Sequence, residues 1–205
     1  MKYQYYVKPR WYFILLMIIF LLGIDQITKY VASQLIKEEV LFGPSGFGLK
    51  YITNEKLLVF HLIKVSNPGV VINSVVILII ILCIFLVYRF LKLHFPHHRM
   101  FTWAFIFCFG GLFSNLADNI LLGHVRDFIV FWKLGICNFA DIFYYVGLGL
   151  FLLSLTITPQ IRRKLNRSSI ADLKIFFQFS VDELKKPIAL LIRILTKMTK
   201  TFKKD

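Results

Sequence analysis

The chain has 205 residues, 58% of them hydrophobic, with a mean hydropathy of +0.69 and a formal net charge of +14 from 25 basic and 11 acidic residues. That apolar content excludes an ordinary water-soluble globule and implies a protein in lipid whose charge sits on one face. Nucleic acid, the other habitual partner of basic chains, is not expected, because no basic run is joined to a recognition motif.

Taken in order, the first apolar run is Trp11 to Ile24, continuing helically through Tyr30 to about Ser33. Its basic start would suit a cleaved signal peptide, but no small-residue cleavage site follows, so an uncleaved anchor is expected. Leu35 to Asn67 is polar and apolar by turns, punctuated by Gly43, Pro44, Ser45, Gly46 and Gly48, and holds the run Leu57 to Val65. This pattern predicts a small, half-buried antiparallel sheet against the membrane surface. Val70 to Phe90 is a second span and Phe101 to Leu122 a third, the latter interrupted by Asn115, Asp118 and Asn119. Gly123 to Ala140 is a short excursion, and Ile142 to Ile157 is the fourth span, closed by Pro159. Each run approaches the ~20 residues needed to cross a hydrocarbon core as a helix.

The cations orient these spans. Lys2, Lys8 and Arg10 precede the first, Arg89, Lys92 and Arg99 lie between the second and third, and Arg162, Arg163, Lys164 and Arg167 follow the fourth. Four spans put all three clusters on one side, so both termini are expected in the cytoplasm. Residues 160–205 then form a basic tail with 12 Lys and Arg against four acidic residues. Within it Leu184, Ile188, Leu191, Ile192 and Leu195 fall on one helical face, with Lys185, Lys186, Arg193 and Lys197 around them and Pro187 in the first turn. This is the pattern of an amphipathic helix on an anionic leaflet. The fold class expected is all-α membrane: four transmembrane helices with a small extracytoplasmic β-rich subdomain between helices 1 and 2, in residues 1–159.

Polar groups inside such spans cost ~2.5–3.5 kcal/mol each on insertion and therefore need partners or a role. Asp25 and Lys29 are spaced i,i+4 and can pair on one helix face, as a structural ion pair or as the lining of a site. Asn115, Asp118 and Asn119 share a face at i, i+3 and i+4, either as interhelical glue or as part of a site. Asp127 follows the third span and Asp141 precedes the fourth, so two carboxylates can meet at the outer rim. Two such groups in a desolvated site share a proton, which lets one activate water as a base while the other polarises a peptide carbonyl as an acid. A proton-relaying transporter would need its polar groups at the midplane instead. Cys83, Cys108 and Cys137 are singletons and the histidines form no ligand spacing, so neither a metal nor a cofactor is expected. No GxSxG, HExxH, Walker or SxxK motif competes.

Five elements, DQITK at 25–29, NPGVV at 67–71, GLFSNLADN at 111–119, GHVRDFI at 123–129 and NFAD at 138–141, resemble in order those of the lipoprotein signal peptidases. These signal peptidase II enzymes are bacterial four-span aspartyl proteases, and the resemblance covers roughly residues 11–157. It implies that Asp127 and Asp141 are the catalytic pair and that Asp25, Lys29, Asn67, Gly69, Asn115, Asp118 and Asn138 support it. It further implies a bacterial inner-membrane location and, as substrate, a prolipoprotein cut before a cysteine that carries diacylglycerol. Inhibition by globomycin-type compounds, contact with membrane lipids and a monomeric state are expected with it. Departures are Ser66 and Val70 around Asn67, Ser114 for a usual glycine, and a shortened segment between the aspartates. Asn119 also stands for a usual arginine, removing a cation that would hold neighbouring groups. The alternative is a catalytically inactive member that binds lipidated peptides as a scaffold.

Overall fold

The computed structural model describes residues 11–42, 46–55, 69–131, 135–157, 174–187 and 189. Four helices carry the fold: α1 (Trp11–Leu35), α2 (Gly69–His94), α3 (Arg99–Leu122) and α4 (Phe139–Ile157). All four are long and apolar enough to cross a bilayer, as their sequences predict. Leu15, Leu16, Ile19 and Phe20 of α1 and Val71, Ile72, Leu78 and Ile79 of α2 are exposed, which in lipid is the favourable side for such residues.

The most buried of the four is α3, packed against both α1 and α2. Its aromatic residues fill the seam: Phe105 stacks on Tyr88 of α2 with centroids 4.1 Å apart and meets Phe109 at 4.0 Å with the rings tilted, while Ile14 and Ile18 of α1 close the other flank. Small residues admit α4. A Cβ on Gly111 would run into the carbonyl oxygen of Ala140, and one on Gly147 would lie 2.6 Å from Cys108 Sγ. Close backbone approach through small residues is how helices associate where lipid removes the hydrophobic drive. Cys108 is a small buried residue of that contact, as a singleton cysteine should be.

The four-stranded antiparallel sheet runs in the order β1 (Val40–Leu41), β2 (Phe47–Asn54), β3 (Val125–Phe131), β4 (Ile136–Cys137). The first two strands lie between α1 and α2, as expected from sequence. The other two come from the excursion between α3 and α4, where the sequence pattern alone predicts no strand. Val125–Phe131 is rich in β-branched and aromatic residues, and its pairing with β2 joins the two external segments. The run Leu57 to Val65 lies outside the described residues. Gly123, in the left-handed region at φ 80°, ends α3 with its N–H on the carbonyl of Asn119 and turns the chain directly into β3.

The chain divides into two compact units, Met1–Ser154 and Leu155–Asp205. In the second, residues 174–187 are helical, so Pro187 sits at the end of this stretch and not in a first turn. Helix therefore begins well before the apolar stripe expected at 184–195, of which residues 188, 191, 192 and 195 lie outside the described set.

Candidate active site

The deepest polar residues come from α1. Lys29 and Asp25 are both fully buried and pair at 2.7 Å, so the i,i+4 ion pair forms. Lys29 Nζ also reaches Asp118 Oδ2 at 3.2 Å and Asn115 Oδ1 at 2.8 Å, giving its three N–H groups three acceptors. Asp25 accepts from Ser114 Oγ at 2.6 Å and from the backbone N–H of Ala140 at 2.8 Å. That last bond satisfies one of the free donors at the start of α4 and fixes this helix to α1. The pair is thus structural and part of the cluster at once.

On α3, Asp118 is clamped from above by Arg126 of β3. The guanidinium donates to Oδ1 at 2.7 Å and Oδ2 at 3.2 Å, and the Arg126 backbone N–H adds a bond to Oδ2 at 3.1 Å. Its Nη2 also donates to Gln26 Oε1 at 2.7 Å, and Gln26 returns Nε2 to Asp118 Oδ1 at 2.9 Å and Ser114 Oγ at 2.9 Å. The Asp118 carboxylate and, more weakly, nearby Tyr51 and Asp25 hold the Arg126 guanidinium above its ordinary pKa, against its partial burial. Arg126 therefore stands beside Asp118 in the place of the cation that Asn119 does not provide. Asn119 turns away and ties α3 to α2, through Val70 O at 3.0 Å and Ser74 Oγ at 2.8 Å.

Asn138 and Asp141 form a reciprocal cap at the start of α4. Asn138 Oδ1 accepts from the N–H of Asp141 at 2.9 Å, and Asp141 Oδ2 accepts from the N–H of Asn138 at 3.2 Å. Asn115 Nδ2 donates to the other Asp141 oxygen at 2.9 Å. The amide of Asn138 turns towards β3, where Nδ2 meets Asp127 Oδ1 at 2.6 Å. Asp127 Oδ2 accepts from Asn54 Nδ2 at 3.0 Å. Asn54 arrives from β2, whose register with β3 slips by one residue between Leu49 and Ile52, a bulge that re-aims the strand end.

Two cations, Lys29 and Arg126, are matched by two carboxylates, Asp25 and Asp118. Among the described residues Asp127 and Asp141 make no ion pair, and both bond to Asn138. Burial, then the neighbouring Asp141 charge, push the Asp127 carboxyl up to about 7 despite the bonds from Asn54 and Asn138. Cys137, one residue before Asn138, is pushed up to about 11 by burial and the two aspartates, which leaves a neutral thiol there. No group of three or more His, Cys, Asp or Glu is arranged to hold a metal ion among the described residues.

Seven of the nine residues anticipated from sequence are therefore joined in one network: Asp25, Lys29, Asn115, Asp118, Asp127, Asn138 and Asp141. It lies at one end of the bundle, where α3 ends and α4 begins, and β3 packs on α1 and α3 beside it. Gly69 opens α2 in the left-handed region, at φ 72°, and takes no part in the bonds that hold the two aspartates. Asn67 lies outside the described residues. Sequence reasoning does not single out Asn54, Gln26 or Arg126. The last two stand inside the DQITK and GHVRDFI elements and adjoin anticipated residues, whereas Asn54 carries no local signal.

The sequence model of the family described as "Signal peptidase (SPase) II" matches residues 17–157. A lipoprotein signal peptidase of Caldanaerobacter subterraneus subsp. tengcongensis is 28% identical over 141 residues, 65% of this chain and 88% of that protein. One from Brucella ovis is 32% identical over 62 residues, 28% of this chain and 39% of that protein. Among solved structures, a bacterial membrane enzyme determined by the in meso method at 2.3 Å superposes with a TM-score of 0.56 at 20% identity, over 82% of this chain and 97% of that one. A second, at 1.9 Å, gives 0.55 at 21% identity, over 77% and 98%. The structural likeness is one of fold.

Proposed function

The chain belongs to the signal peptidase II family, and from that premise we propose that Asp127 and Asp141 are the catalytic pair of a membrane aspartic-type protease that removes signal peptides from prolipoproteins. The observation that carries this reading is Asn138, which hydrogen-bonds both carboxylates and brings their charges into mutual influence. The two share one proton. One carboxyl carries it in the resting site as the acid, and its partner is the base. The unprotonated carboxylate takes a proton from water as the water oxygen attacks the scissile carbonyl carbon. The protonated partner donates to the carbonyl oxygen; as the C–N bond breaks, the proton taken from water passes to the leaving amine and the re-forming carbonyl returns its proton to that partner, restoring the pair. Asn115, Asn138 and Asn54 fix the two carboxylates, and Lys29 and Arg126 balance the rest of the buried charge.

The substrate bond is the one before a diacylglyceryl-modified cysteine, and a globomycin-type compound occupies the same site. Arg89, Lys92 and Arg99 sit at the end of the bundle opposite the aspartates, which supports cytoplasmic termini and a dyad at the outer rim of the inner membrane. A prolipoprotein whose acyl chains stay in the bilayer presents its cleavage bond at that depth.

Cleavage of a diacylglyceryl-modified prolipoprotein by the purified chain, beside Asp127→Asn and Asp141→Asn, tests the reading. Asn keeps the shape and cannot exchange the proton. Cutting by the wild type and by neither folded variant is expected. Wild type that binds the substrate without ever cutting it would overturn the reading in favour of a binding scaffold.

A further inference from the structure

In the second unit, the helix at 174–187 leaves large apolar side chains uncovered. Phe177 is 60% exposed, Val181 44% and Leu184 41%, and their i, i+4, i+7 spacing makes one continuous stripe. Ser180, on the adjoining face, is buried, and its hydroxyl donates to the Phe176 carbonyl at 2.8 Å. The stripe is therefore the outer edge of an apolar arc and not the part that packs within the unit. Lys174 and Lys185 border it on the helical wheel, both exposed. Charge in the surrounding sequence is one-sided: residues 160–205 hold 12 Lys and Arg against four acidic residues.

We infer that the Phe177, Val181 and Leu184 stripe docks into an anionic lipid surface, on the side of the membrane where α4 ends. Two observations select lipid over a protein partner. One is the sign of the charge, since Lys174 and Lys185 line one edge of the stripe and match acidic headgroups. The other is distance. The first described residue of the helix, Lys174, is seventeen positions after Ile157, the end of a membrane span, and that length of chain cannot carry it farther than about 60 Å. Aromatic and aliphatic side chains enter the boundary between headgroups and acyl chains, while the lysines stay among the phosphates. The stripe acts independently of the dyad, and its failure would leave the peptidase reading untouched.

Amide hydrogen exchange of the full chain in lipid nanodiscs tests this. Uncharged phosphatidylcholine is compared with a mixture containing about one third phosphatidylglycerol. Exchange over 174–187 is expected to be slower by about tenfold or more with the anionic lipid, and high salt should remove the difference. Phe177→Ser/Val181→Ser/Leu184→Ser should abolish it while exchange in α1 to α4 is unchanged. Equal exchange in the two lipids overturns the inference: if slow in both, anionic headgroups are not what holds the stripe, and if fast in both, it is not covered at all. A lipid difference that survives in the triple variant would assign the binding to the lysines alone and also overturn it.

Discussion

Arg126 grips Asp118 with three bonds, two from its guanidinium and one from its own backbone N–H, and the next residue in the chain is Asp127. One turn earlier on α3, Asn115 holds Asp141. A single face of α3, through residues 115 and 118, thus sets the positions of both aspartates, although they stand on a strand and on another helix. The bidentate clamp is what keeps β3 seated over the end of the bundle.

Replacing Arg126 separates charge from geometry. Arg126→Lys keeps the cation and loses the fork, and is expected to lower kcat/KM by about tenfold. Arg126→Gln also removes the charge and leaves the buried Asp118 with Lys29 alone as cation. A loss of roughly 100-fold is expected there, with a stability cost of about 3 kcal/mol, the low end for a broken buried pair. Kinetics and thermal unfolding of both variants in the same detergent check this. Activity of Arg126→Gln within twofold of wild type would mean that the clamp does not position Asp127.

Asn138 has two roles that one substitution can split. Its side-chain oxygen caps α4, and its amide donates to Asp127. Asn138→Ser keeps a capping oxygen and loses the amide, so the cap should survive while the buried acceptors of that amide lose their donor, at a cost of about 1–3 kcal/mol. Activity is expected to fall by about 10 to 100-fold, because one dyad carboxylate loses its link to the other. Asn138→Ala should lose the cap as well, about 1 kcal/mol further.

Asn54 should show itself in the pH profile. A proton shared between the aspartates is lost as pH rises through about 7, so kcat/KM is expected to fall on that alkaline limb. The bond from Asn54 favours the charged form of Asp127 and lowers its pKa. Asn54→Ala removes that bond, so the limb should move to higher pH. A profile of kcat/KM against pH for both proteins measures the shift, and a limb that stays in place or moves lower would exclude Asn54 from the dyad.

Much of this site is legible in the sequence because its main pieces are local. The pair Asp25 and Lys29 is one helical turn apart, and Asn115 and Asp118 share a face by spacing alone. The helices declare themselves by apolar length. What the chain does not display is anything decided across the sheet. Val125 to Phe131 reads as a short connection because its strand character depends on β2 being there to pair with it. Asn54 reaches Asp127 only through that pairing and the one-residue bulge in it, which no local pattern encodes. Asn119 reads as a lost cation, since the replacement, Arg126, lies beyond the helix end and approaches only after Gly123 turns the chain back.

Asp127 also ties stability to pH. An ordinary aspartate titrates near 3.8, and here burial and the Asp141 charge raise the folded value to about 7. The folded protein then holds a proton that the unfolded chain has already released, so stability falls as pH rises from about 4 to about 7 and stays low above it. At about 1.4 kcal/mol per pH unit the full penalty is on the order of 4 kcal/mol. Asp127→Asn cannot ionise and escapes that penalty, but its own amide faces one of the two donors, Asn54 or Asn138, at a cost of about 1 kcal/mol. The variant, inactive in cleavage, is therefore expected to be more stable than wild type by about 1–3 kcal/mol at pH 8, with the gap closing or reversing by pH 5. Thermal unfolding at both pH values decides it. A gap of the same size at pH 5 and pH 8 would mean that Asp127 ionises freely in the folded protein, and the shared proton would lose its physical basis.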